Sequence, residues 1–157
     1  MSFCVWSRRL RILFRRVSGR SVVMSTTLKI RDETTLNLGS DEEVGFTLDV
    51  LTARITAREL IRVRVANEVR DYNLSESAFF RGLVQPTDTE STLNGFKMRN
   101  RRRIDPEKQF ELALRAFYTN GFILLVDDRQ VDELEEEIEV RPDTTVTFLK
   151  LVPLVGG

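Results

Sequence analysis

Two helix-start signatures set the frame within which this chain has to fold. Thr56-x-x-Glu59 is a capping box, in which each side chain satisfies a backbone N–H that the first helical turn leaves free. Behind it Ala57, Ile61, Val65, Val69 and Tyr72 recur at helical spacing, with Leu60 beside them and Arg58, Arg62 and Arg70 turned to solvent. Asp105-Pro106 is the second start, an N-cap followed by proline in the first turn. Phe110, Ala113, Leu114 and Phe117 form its apolar face, and Asn120-Gly121 is a stop signal. The other periodic segments alternate with a period of two, so the expected fold is α+β, helices packed on a sheet.

The strands read as follows. TTLKIR, from Thr26, places Leu28 and Ile30 on one face. A polar turn around Gly39 to Glu43 separates it from FTLDV at 46–50. FILLV (122–126) is a buried strand, Asp127-Asp128 a turn, and Arg129-Gln130-Val131 a short return strand. The acidic stretch VDELEEEIEV has Leu134 and Ile138 as anchors. Pro142-Asp143 then turns the chain into a last strand, with Val146 and Phe148 on one face and Thr147, Leu149 and Leu151 on the other. The face of the second helix is expected to pack on Leu124, Val146 and Phe148. Residues 74–104 lack sustained periodicity and read as an insertion with room for one short element. Its basic run, KMRNRRR (97–103), reads first as a solvated loop balancing the acids at 132–139. The other reading is a site for phosphate or an acidic partner.

Residues 1–24 stand apart: basic, without an acid, and with Trp6, Leu10, Phe14 and Val17 at helical spacing. Two readings remain open, an amphipathic targeting or membrane-surface segment and translated upstream sequence before a start at Met24. The folded domain is expected at 25–152 and a flexible tail at 153–157.

Composition narrows the chemistry. Twenty-four basic and twenty-four acidic residues give zero formal charge, which disfavours a general nucleic-acid partner. There is no histidine, and Cys4 is the single cysteine, so imidazole catalysis, His or Cys metal sites and disulfides are excluded. No catalytic spacing stands out among the carboxylates. The expectation is a protein that is acted upon or bound: no enzyme, no catalytic residue, no metal site, no cofactor. No apolar run approaches the ~20 residues that span a bilayer, so no membrane partner is expected.

The last residues, Leu151-Val152-Pro153-Leu154-Val155-Gly156-Gly157, carry the functional signal. Proline releases the chain from a sheet ladder, and two glycines pass a narrow enzyme channel with little backbone restriction. Together with the 36 residues from Phe122 onward, this end resembles the ubiquitin-like modifiers. The shared features are the buried strand, the two-residue turn, the basic-Gln-apolar triplet, the acidic loop, the Thr-led last strand and the diglycine. The resemblance implies a ubiquitin-like β-grasp fold, with first and last strands adjacent and parallel, here carrying an inserted segment and an extra helix. It implies a protein modifier conjugated through the Gly157 carboxylate, with Gly156 as the narrow passage. An activating enzyme, a conjugating enzyme, a deconjugating protease and target proteins would be its partners, in the cytoplasm. Leu125 and Leu149 would be the apolar pair that partners bind, with Leu151 and Leu154 adjoining; burial of the pair under the insertion is the alternative. The apolar tail and the additions are most like the divergent ubiquitin-like proteins of bacterial conjugation operons, some of which serve in defence against phage. A sulfur carrier with a C-terminal thiocarboxylate and a β-grasp interaction module without tail chemistry are the competing readings.

Overall fold

Alternation and capping translate directly into elements in the computed structural model, which describes residues 26–34, 44–50, 52–92 and 95–151. The leader at 1–24, the turn at 39–43 and the tail with Leu154, Gly156 and Gly157 lie outside these residues. In chain order the elements are β1 (Thr26–Thr34), β2 (Val44–Val50), β3 (Arg54–Thr56), α1 (Ala57–Leu74), β4 (Phe79–Phe80), β5 (Thr89–Thr92), β6 (Gly95–Met98) and α2 (Pro106–Tyr118). Then follow β7 (Phe122–Val126), β8 (Arg129–Val131), β9 (Glu137–Glu139) and β10 (Thr145–Lys150). The arrangement is α+β, two helices with three sheets among the described residues.

The main sheet has the order β2-β1-β10-β7-β8. Its central pair, β1 with β10, is parallel, in the register Ile30 opposite Val146 and Asp32 opposite Phe148; the other pairs are antiparallel. Leu28, Ile30, Leu48, Phe122, Leu124, Val146 and Phe148 are buried on one face, against Leu60, Ile61, Val65 and Val69 of α1. Each such aliphatic or aromatic side chain contributes roughly 1.5–3 kcal/mol by leaving water. The β7–β8 turn places both Asp127 (φ 47°) and Asp128 (φ 67°) in the left-handed region, as a tight hairpin requires. The Asp127 carboxylate accepts from the Thr145 N–H at 2.8 Å, which ties this turn to the start of β10.

The capping box at Thr56 and Glu59 forms as expected. A feature that local sequence did not indicate completes the start of α1. β3 pairs with β9, and the acidic segment lends its carbonyls to the helix: Ala57 N–H donates to Glu136 O at 3.1 Å, and Arg58 N–H to Leu134 O at 2.8 Å. Backbone donors that no helical turn can satisfy are thereby paired.

α2 lies chiefly along α1. The Arg62 guanidinium sits 4.1 Å over the Phe110 ring and pairs with Glu107 at 2.7 Å. α2 contributes Phe110 and Phe117 to the same buried core as Leu124, Val146 and Phe148. Its ring contacts reach the sheet through Phe122, 6.0 Å from Phe117 and 5.9 Å from Phe148 between centroids. Leu114 is only partly buried.

The insertion is also more ordered than its sequence indicates. Instead of one short element it builds a small antiparallel sheet, order β4-β6-β5. Gly95 opens β6 at φ 115°, and a Cβ there would stand 2.7 Å from the Phe80 carbonyl oxygen, so the position requires glycine. Phe80, Leu83 and Met98 carry this sheet into the common core. The basic run does not balance the acids at 132–139. Arg99 pairs with Glu90, Arg102 with Asp88, and Arg101 donates to the Ser75 carbonyl, all within or beside the insertion. The acids pair elsewhere: Glu137 with Arg54, Glu135 with Arg58, Glu136 with Arg129, and Glu139 with Arg141.

Candidate functional site

The alternation of β7 decides which side chains the main sheet turns away from α1. Phe122, Leu124 and Val126 are buried, so Ile123 and Leu125 stand on the opposite, outer face, each half-buried. The β7–β10 register sets Leu125 opposite Thr147 and Ile123 opposite Leu149. Leu125 and Leu149 are thus diagonal neighbours on adjacent strands, within about 7–8 Å. β8 adds Gln130 opposite Leu125, and β1 adds Arg31 opposite Thr147 and Glu33 opposite Leu149. The result is a small apolar centre bordered by polar and charged side chains. A shallow polar cleft of about 220 Å³ adjoins it, between Arg31, Leu125, Asp128 and Thr145.

The structure therefore brings together Leu125 and Leu149 on one face, with Leu151 exposed just beyond the strand at 36 % of its full area. Leu154, Gly156 and Gly157 fall outside the described residues. The insertion is tied to α1 through Glu68 and to the end of β10 through Lys150. Ile123 belongs to the same centre and was not singled out from sequence, although the period of two in FILLV places it beside Leu125.

A second cluster was missed altogether. Arg64 lies on the apolar stripe of α1 and is 3 % exposed. Its guanidinium donates to Asp32 at 2.7 Å and to Glu68 at 2.8 Å, and sits 4.4 Å over the Phe148 ring. Glu68 also accepts from the Leu83 N–H at 2.9 Å, and the Lys150 ammonium donates to the Gly82 carbonyl at 2.7 Å. Gly82 has to be small here: a Cβ would meet the Phe80 ring and the Glu68 carboxylate. Two cations and two carboxylates thus clamp the insertion to the helix and the sheet. Burial pushes the Glu68 carboxyl up, against the pull of Arg64 and the Leu83 N–H. Burial pushes the Lys150 ammonium down. Burial alone would lower Arg64 too, but Glu68 and Asp32 more than offset it, so its pKa is raised. The signal was present in the sequence: Arg64 and Glu68 form an i,i+4 pair directly beside Val65 and Val69.

A cleft of about 460 Å³ opens beside this cluster, between Asp32, Phe46, Glu68, Tyr72 and Phe79. A perturbed carboxyl in a cleft is a reasonable place to look for catalysis. Here both Glu68 oxygens are engaged, by Arg64 and by Leu83 N–H, and the nearby Ser77 hydroxyl donates to the Phe79 carbonyl within a local turn. The arrangement fastens two parts of the fold and offers no activated nucleophile. Among the described residues no group of at least three His, Cys, Asp or Glu side chains is placed to hold a metal ion. No helix among them is long and apolar enough to cross a membrane. Comparison with protein-family models, with curated proteins and with solved structures finds no match to this chain.

Proposed function

We propose that this chain is a ubiquitin-like modifier of the β-grasp type, attached to target proteins through the Gly157 carboxylate. The observation that carries the reading is the strand order β2-β1-β10-β7-β8, with β1 and β10 parallel at the centre and α1 following β2 to cross the inner face. That order is what the sequence resemblance implies, and two of its five strands, β1 and β2, lie outside the resembling stretch. The additional parts, α2 and the small sheet, attach to this frame without interrupting it.

In this reading an activating enzyme adenylates the Gly157 carboxylate with ATP, releasing pyrophosphate. An enzyme cysteine then displaces AMP to form a thioester, and a target amine displaces the cysteine to form the amide. The chain contributes the carboxylate, the passage at Gly156 and a recognition surface. Ile123, Leu125, Leu149 and the exposed Leu151 supply that surface, an apolar centre with a polar border. A conjugating enzyme and a deconjugating protease complete the set of partners, in the cytoplasm.

The test is intact-mass spectrometry of the full chain incubated with ATP and its cognate activating enzyme. A covalent protein adduct is expected. With a sulfur donor added, exchange of one carboxylate oxygen for sulfur would instead identify a sulfur carrier, and an unchanged mass an interaction module. Removing Gly157 leaves the carboxylate roughly 3.3–3.6 Å short of the reacting position, so adduct formation should cease. Adducts forming at the normal rate without Gly157 would refute the assignment of the tail.

A further inference from the structure

The insertion and α2 build a groove of their own, of about 430 Å³, between the 86–87 turn, the loop before α2 and the outer face of α2. Met98 and Ile104 form its floor and are buried; Leu112 of α2 is half-buried above them. Lys108, Leu112 and Arg115 follow one another along one face of the helix, and Arg103 stands on the loop opposite.

Of the four cations that line this groove, three lack the carboxylate partner that many surface arginines have. Arg54, Arg58, Arg62, Arg99, Arg102, Arg129 and Arg141 each have a carboxylate partner. Arg103, Lys108 and Arg115 are exposed, and none of them makes an ion pair among the described residues. Three cations without an ion pair thus line one concave, partly apolar site in a protein of zero formal charge. Asp105, which caps α2 by accepting from Glu107 N–H at 2.9 Å, and Glu111 also line it, so with Arg102 the lining remains net positive.

The walls are fixed before any partner arrives. The Asn73 side chain both donates to the Ile104 carbonyl and accepts from the Ile104 N–H, each at 2.9 Å, which pins the loop to α1. Arg102 ties the same loop to Asp88 at 3.0 Å and to the Thr87 carbonyl at 3.1 Å. The buried Gln109 side chain donates to the Val84 carbonyl at 2.8 Å, joining the helix to the insertion. A preformed groove loses little freedom when occupied.

We infer that this groove binds an acidic peptide segment of a partner protein, with an apolar side chain seated over Leu112 and carboxylates on Arg103, Lys108 and Arg115. Seven helical residues separate Lys108 from Arg115, about 10 Å along the axis. An extended peptide covers that distance in about three residues. The preferred segment is therefore short and acidic, with an apolar residue among its carboxylates. Recognition here is independent of the Gly157 chemistry and of the sheet face at Leu125 and Leu149.

Fluorescence anisotropy of the full chain tests it, with a fluorescein-labelled peptide of sequence EELEEELEE as the probe. Binding should weaken by roughly tenfold or more on charge reversal of Arg103→Glu, Lys108→Glu and Arg115→Glu together, and should weaken with added salt. All three positions are exposed, and an unchanged melting temperature confirms the fold of the variant. Four outcomes overturn the inference: no binding at about 1 mM probe, equal binding by the triple variant, equal binding of the probe with Gln in place of every Glu, and binding of a labelled oligothymidine as tight as that of the peptide. The last would identify a general polyanion site.

Discussion

Replacing Arg64 by methionine removes a buried guanidinium and leaves a flexible apolar chain of similar reach. Asp32 and Glu68 then lose their common partner, and Phe148 loses the cation over its ring. Deleting one member of a buried ion pair typically costs about 3–5 kcal/mol, because the charge left behind stays out of water. Two features set the value at the lower end. Asp32 keeps 27 % of its side-chain area exposed and regains some hydration. Glu68, at 12 %, does not, but its raised pKa lets it take up a proton instead. The expected loss is about 3 kcal/mol at neutral pH, read as a lower urea midpoint at an unchanged slope. Adding Glu68→Gln to this variant removes the stranded charge and should recover about 1–2 kcal/mol. A loss below about 1 kcal/mol, or strict additivity of the two changes, would refute the claim that this cluster acts as one unit.

Glu68→Gln alone tests the proton linkage. The folded pKa of Glu68 is raised, so its neutral form favours the fold. That contribution is complete below the ordinary value of 4.5 and is lost as pH rises through the raised folded value. The variant should flatten the pH–stability profile over that interval, and an unaltered profile would count against it. Tyr72→Phe removes a buried hydroxyl that has no hydrogen-bond partner among the described residues, while keeping the edge-on ring contact with Phe80 at 5.6 Å. Stability should hold or rise by up to about 1 kcal/mol in thermal unfolding, and a loss of that size would reveal a hidden partner. Asp128→Gly relieves a left-handed residue in the β7–β8 turn and should stabilise by about 0.5–1 kcal/mol in the same assay; destabilisation would mean that the Asp128 side chain is needed. Phe117→Ala empties a position 7 % exposed that bridges α2 to the sheet, at an expected cost of about 3–5 kcal/mol in urea. A cost below about 1 kcal/mol would place Phe117 at the surface.

The helices and the five strands of the main sheet could be read from the sequence because their causes are local. Thr56 and Glu59 are three residues apart, and the stripe from Ala57 to Tyr72 needs only the pitch of one helix. The alternation in FILLV likewise tells its two faces apart before any partner strand is known. The sheet face carrying Leu125 and Leu149 follows from the same periodicity, whereas its polar border depends on the register with β1 and β8.

What tertiary structure alone decided are the contacts between distant segments. Arg54 and Glu137 meet across 83 positions, and no local pattern announces that β3 and β9 will pair or that the acidic segment will complete the start of α1. β5 and β6 are short and largely polar or exposed, so the insertion carries little hydrophobic alternation; its order comes from pairing and from Phe80, Leu83 and Met98 reaching the core. Arg64 is the clearest instance. As a residue type it belongs in water, and helical periodicity alone put it on the buried stripe. Only the fold could show that Asp32 of β1 joins Glu68 there to receive its charge, since a buried guanidinium is tolerable once carboxylates surround it.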